Sequence, residues 1–239
     1  MSDLSFKDQL LLELDRSEAL RGRAVEDQVF HDRRLRLRVW QAGRLARSHA
    51  DLAASPRFHD AAMFFLGDLY GPRDIGQHIE EARRIVPIMA KTLPAQGLAA
   101  VARAVELNAL SERLDGEMVE AIGEHADHID NRIYATAYLQ VGRPEERRRQ
   151  IDLIEMLGGS LDALTHQRFI GVALKLMRKP AEMAGLGELQ NFLERGYSAF
   201  HAMRGGAGEF VSIVVWRERA LSSALLRGDV EALPPEANG

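Results

Sequence analysis

Apolar residues along this chain recur at intervals of three and four, the period of an amphipathic helix. Strand-like alternation is scarce, and the β-branched run from Val211 to Val215 is short and flanked by helix formers. The pattern predicts an all-α fold: a single-domain multi-helix bundle of about 8–10 helices. The domain is expected over residues 1–230, followed by a disordered C-terminal tail over 231–239.

Caps and breakers mark the expected boundaries. A first helix starts at Ser5, with Asp8 three residues on as a variant capping box. A long helix covers 24–54, and Ser55-Pro56 opens the next with Pro at its first turn. Further helices are expected over 77–91, from Pro94 to residue 127, over 131–141, and from Pro144 to residue 157, where Gly158-Gly159 breaks or bends the chain. Short helices over 160–164 and 167–177 follow, then two longer ones over 186–203 and 208–226 separated by Gly205-Gly206.

The densest segment runs from Ala62 to Pro72 (AMFFLGDLYGP) and is apolar on nearly every side. A helix apolar all round is a buried helix. This one carries Asp68, a carboxylate that needs a partner if it is inside. Asp68 reads as a metal ligand or base with a raised pKa, or else as one half of an ion pair with an arginine such as Arg44 or Arg73, or as a polar link to a helix terminus. Tyr70, in the same segment, joins the candidate set.

Other polar residues fall where the helical period points inward. His49 continues the row Leu35, Val39, Ala42, Ala46 and leads to Ala53; it reads as a metal or heme ligand or a base, or as a hydrogen-bonded histidine at the core edge. Glu218 shares a face with Val211, Val214, Val215, Leu221, Ser222 and Leu225. Arg217 and Arg219 point away from that face, so its partner must come from another helix. Asn108, Glu112 and Asp115 continue the row of Val101 and Val105, either as a polar wall facing a cavity or as a solvated stripe beside the core. The face Glu120, Glu124, His128 and the arginine clusters 33, 34, 36, 38 and 143, 147, 148, 149 read as solvated, salt-bridged surface. Trp40 and Arg44, four apart, are placed to stack. Phe192, Tyr197, Phe200, Met203 and Phe210 read as core, or as the wall of an apolar pocket or dimer face.

Composition narrows the chemistry. A net charge of −4 argues against nucleic acid as a partner. There is no cysteine, hence no disulfide, thiolate zinc site or thiol nucleophile. The N-terminus lacks a basic start and a long apolar run, and no stretch approaches the roughly 18 apolar residues of a membrane span, so a cytoplasmic protein without membrane partners is expected. The Ala, Leu and Arg richness points to a bacterial source. Phosphate-loop, dinucleotide, zincin and nucleophile-elbow motifs are missing, and no motif names a cofactor. Glu-x-x-His, the recurring pair of di-metal bundles, does not occur.

The string FFLGDLYGPRD at 64–74, with RLA at 44–46, HADL at 49–52, ELNALS at 106–111, QIDLI at 150–154 and LQNFLERG at 189–196, resembles an uncharacterised family of bacterial all-helical proteins. The resemblance covers most of the chain and implies no established activity. The expectation is therefore a non-enzymatic binding or interaction module, homodimeric, with a small apolar ligand as a further partner class. The alternative is a metal- or heme-dependent oxidase or cofactor-binding protein on a heme-oxygenase-like or ferritin-like bundle, built on His49, Asp68, Glu112, Asp115 and Glu218.

Overall fold

The computed structural model describes residues 27–69, 95–183, 185 and 187–236. Within them the chain forms α1 (Gln28–Ser48), α2 (Ala50–Ala54), α3 (His59–Phe64), α4 (Ala95–Ile122), α5 (Asn131–Val141), α6 (Pro144–Thr165), α7 (Arg168–Met183), α8 (Gly187–Ala202) and α9 (Ala207–Leu225). A π turn, Phe65–Leu69, continues α3, and 3-10 turns follow α4 (Gly123–Asp127) and α9 (Val230–Ala232). The described residues contain no strand, as the helical period requires. The helices expected from Ser5 and over 77–91 lie outside the described residues.

Local chemistry explains several boundaries. Asp27 caps α1 by accepting from the Phe30 N–H at 2.9 Å, and Asp130 caps α5 by accepting from Ile133 N–H at 2.7 Å. Gly142 (φ 65°) and Arg143 (φ 59°) both take positive φ, turning the chain sharply before Pro144 starts α6.

Other boundaries differ from the sequence reading. The helix expected over 24–54 is interrupted at His49, whose backbone leaves helical geometry (φ −124°, ψ 23°). There the Ser48 carbonyl accepts from Arg217 at 3.0 Å, a side chain inserted beside the helical ladder. Pro56 lies in a turn, and the next helix starts three residues later at His59. Gly158-Gly159 does not break α6, which runs on to Thr165, absorbing the separate helix expected over 160–164. The helix expected to end at Met177 continues through Pro180 to Met183.

α6 packs lengthwise against both α4 and α9, while α8 packs against α7 and α3. Two apolar clusters result. The first joins Leu45, Leu52, Phe58, Phe64 and Phe65 to Ile151, Phe200, Met203, Phe210, Val211 and Val214. The second joins Phe30 and Leu37 to Met118, Val119, Ile122, Tyr134, Tyr138, Leu225 and Leu233. The C-terminal stretch contributes here: Leu233 is buried, and Asn131 donates to the Pro234 carbonyl and to the Glu236 carboxylate.

The inward row of α1 is not the one that its aliphatic residues suggest. Leu35 and Val39 are exposed, and Phe30, Arg34, Leu37, Arg44 and Leu45 are buried. A reading that sends aliphatics inward and arginines outward picks the wrong face, because α1 buries its arginines against carboxylates of other helices.

Gly158 explains why α6 stays whole. A Cβ there would overlap the methyls of Val211 on α9, so the glycine lets two backbones approach. Gly159 beside it faces nothing within 4 Å. Gly158→Ala is expected to cost about 1–3 kcal/mol by overpacking. Gly159→Ala should gain up to about 1 kcal/mol from helix propensity. Urea denaturation of the two variants, side by side, checks both signs.

Candidate functional site

The two clusters meet at a polar seam. On α9, Val211, Val214 and Val215 serve the first cluster and Leu225 the second, with Glu218 and Ser222 between them. On α1, Leu37 serves the second cluster and Leu45 the first, and Arg44 sits at the changeover. Arg44 Nη1 donates to both Glu218 oxygens, at 2.7 and 2.8 Å. His49, 1% exposed, completes the triad: its Nε2 lies 3.1 Å from Glu218 Oε1. The carboxylate is an acceptor only, so Nε2 carries the donated proton. The His49 ring meets Phe65 edge-on at 6.2 Å, which ties the Phe-Phe segment to the seam.

Burial by itself would raise the Glu218 pKa. Arg44, by charge and hydrogen bond, and His49 overcome that penalty and hold it at about 2. Outside the triad, Arg217 donates to both Asp51 oxygens at 2.7 Å, pinning the α1–α2 junction to α9.

The seam continues toward α5 and α6. Tyr138 shares a hydrogen bond with Ser222 at 2.8 Å, and the Arg147 guanidinium lies over the Tyr138 ring, 4.3 Å from its centroid. Trp40 stacks on Tyr134 at 4.2 Å rather than on Arg44, whose guanidinium is taken by Glu218. Burial pushes the Tyr138 phenol up, with Arg147 and Arg44 both opposing the shift.

A second buried polar group joins α1 to α4. Glu112 receives Arg34 and Arg38, one on each oxygen, and Asp115 accepts from Gln41 at 3.0 Å with Arg38 3.6 Å away. Both carboxylates are buried. They form neither a solvated stripe nor a bare polar wall; they are the counter-charges of α1. Asn108 lies one turn earlier on the same helix, partly buried. The backbone of Asp68 falls in the π turn, while its side chain and the whole of Tyr70 lie outside the described residues. His49 and Glu218 thus come together, Glu112 and Asp115 come together, and Arg44, a suggested partner of Asp68, belongs to Glu218.

Sequence reasoning missed the arginines. Arg34, Arg44 and Arg147 are all buried, whereas the sequence pattern predicts solvated surface for Arg34 and Arg147. A signal existed for Arg147: it stands four residues before the buried Ile151 on α6. The face Glu120, Glu124, His128 is exposed as read.

The donor set bears on the cofactor alternative. Among the described residues, no group of three or more His, Asp and Glu side chains is arranged to hold a metal ion. Glu112 and Glu218 are each engaged by guanidiniums, so a divalent cation there would have to displace buried arginines.

Residues 20–232 match the family described as a domain of unknown function, DUF8198. The chain belongs to this family. No curated protein and no solved structure matches it. No described helix is long and apolar enough to cross a membrane.

The triad makes stability depend on pH. Glu218 titrates near 2 in the fold against an ordinary value of 4.5, so its contribution is complete above the unfolded value and is lost as pH falls through the folded one. Wild-type stability should drop by about 3 kcal/mol from this source between roughly pH 5 and pH 2. Glu218→Gln removes that slope and, by leaving Arg44 buried without a counter-charge, costs about 3–5 kcal/mol at neutral pH. Urea titrations at stepped pH, wild type against variant, read both effects.

Proposed function

We propose that this chain is a non-enzymatic interaction module that works as a homodimer, with the outer face of α7 as the shared surface. The observation that carries the reading is a continuous outward apolar row on that helix. Phe169 is 60% exposed, Leu176 72% and Met183 89%, with Val172 also exposed. Scattered exposed apolar residues are ordinary, whereas a row along one helix face marks a contact surface.

The spacing favours a second copy as occupant. Phe169 precedes Leu176 by one heptad and Met183 follows it by one; Val172 precedes it by four residues and Pro180 follows it by four. Two α7 helices laid antiparallel, with Leu176 against its symmetry mate, would set Phe169 against Met183 and Val172 against Pro180. A two-fold interface needs this self-complementarity, and heptad spacing supplies it. The inner side of α7 is already occupied, since a Cβ at Gly171 would lie 2.9 Å from the Tyr197 hydroxyl on α8. The engagement of Glu112 and Glu218 by arginine supports a binding role over a metal-dependent one.

Sedimentation equilibrium or light scattering at high micromolar concentration tests the reading. The wild type should be a dimer, and Leu176→Glu a monomer with unchanged far-UV circular dichroism. A monomeric wild type overturns the proposal, as does a Leu176→Glu variant that stays dimeric. Monomeric wild type bound to anionic vesicles would assign the face to a lipid surface instead.

A further inference from the structure

The arginines at the start of α6 divide into two kinds. Arg148 pairs with Glu145 at 2.6 Å, Arg149 holds Glu106 through two bonds at 2.7 and 2.8 Å, and Arg143 donates to Glu117 at 3.0 Å. All three are exposed and all three have a carboxylate. Arg147, between them in sequence, is 4% exposed, and its Nε and Nη2 are buried with no hydrogen-bond partner among the described residues. Among the described residues it forms no ion pair; it rests on the face of Tyr138.

A guanidinium cannot shed its charge at any ordinary pH, so burial does not neutralise it as it would a lysine. A buried charge without a counter-charge costs several kcal/mol. Arg44, whose charge Glu218 meets, likewise keeps a buried Nε with no hydrogen-bond partner among the described residues. The two Arg147 groups are not a random pair. Nε–H and one Nη2–H are parallel and form the side of the planar fork that fits two oxygens of a carboxylate or phosphate.

We infer that Arg147 is the anchor of a buried oxyanion site, taking a carboxylate or phosphate group bidentately on its Nε/Nη2 edge. Tyr138 holds the guanidinium plane by stacking, and its own hydroxyl is fixed by Ser222. Arg44 adds positive potential: it and Arg147 both act on Tyr138. The ligand is a small anion, because Arg147 is buried against Tyr138 of α5 and does not lie on an outer face.

Thermal unfolding and titration calorimetry of the full chain, with sodium phosphate and sodium acetate as separate probes and sodium chloride at matched ionic strength as reference, test the site. One probe should raise the melting temperature saturably and bind at one equivalent per chain, and which one does so distinguishes phosphate from carboxylate. Arg147→Gln should weaken that binding at least tenfold, while Arg148→Gln, altering an exposed and paired neighbour, should leave it intact. Equal binding by Arg147→Gln overturns the inference, as does loss of binding in Arg148→Gln alone. If Arg147→Gln does not fold, equilibrium dialysis of the wild type with labelled phosphate and acetate decides: one saturable equivalent of either supports the site, and none of either overturns it.

Discussion

The fold depends on one largely buried carboxylate, whose side chain is 13% exposed. Glu218 stands in the middle of α9, between valines that serve one apolar cluster and a leucine that serves the other. A lone ionised carboxylate there would be prohibitive, so α9 can pack only where a cation meets it. Arg44 supplies the charge and His49 a further hydrogen bond. Such a pair adds little net stability compared with well-packed apolar residues, because desolvation consumes most of the attraction. Its effect is on register: α1 can meet α9 only where Arg44 reaches Glu218. The break at His49 serves the same end, since it turns the imidazole inward while Arg217 takes up the Ser48 carbonyl.

The same logic repeats between α1 and α4, where Glu112 receives two arginines and Asp115 an amide. α1 is thus a helix whose buried side is substantially cationic, matched on two sides by carboxylates of other helices. Against that regularity Arg147 stands out, a buried guanidinium whose Nε and Nη2 have no hydrogen-bond partner among the described residues. The apolar surplus lies elsewhere, on the outer face of α7. The two features concern different chemistry and different parts of the molecule, one suited to a small anion and the other to a second apolar surface.

Much of the architecture was legible. Asn131–Val141 and Ala207–Leu225 fall within one residue of the boundaries read from Gly142, Gly205-Gly206 and apolar spacing. These helices carry their own stop signals, and their apolar faces are the faces that pack. Glu218 was also legible as a residue owed a partner from another helix, because its sequence neighbours Arg217 and Arg219 project to other sides. Gly158 misled because a glycine pair inside a helical pattern reads as a stop, whereas here the missing side chain makes room for Val211.

The sequence by itself determined the helical period, the caps, and the need of each inward carboxylate for a partner, since these follow from spacing and from the cost of desolvating charge. It could not determine which face of α1 turns inward. Aliphatic and arginine rows compete there, and the arginine row wins because carboxylates more than 70 residues away in sequence neutralise it. Only tertiary packing decides such a pairing, because Arg44 and Glu218 become neighbours when α1 and α9 meet. The isolation of Arg147 from its neighbouring carboxylates has the same origin: an arginine beside Glu145 and Glu146 reads as satisfied until the fold commits those carboxylates to Arg148 and Arg113.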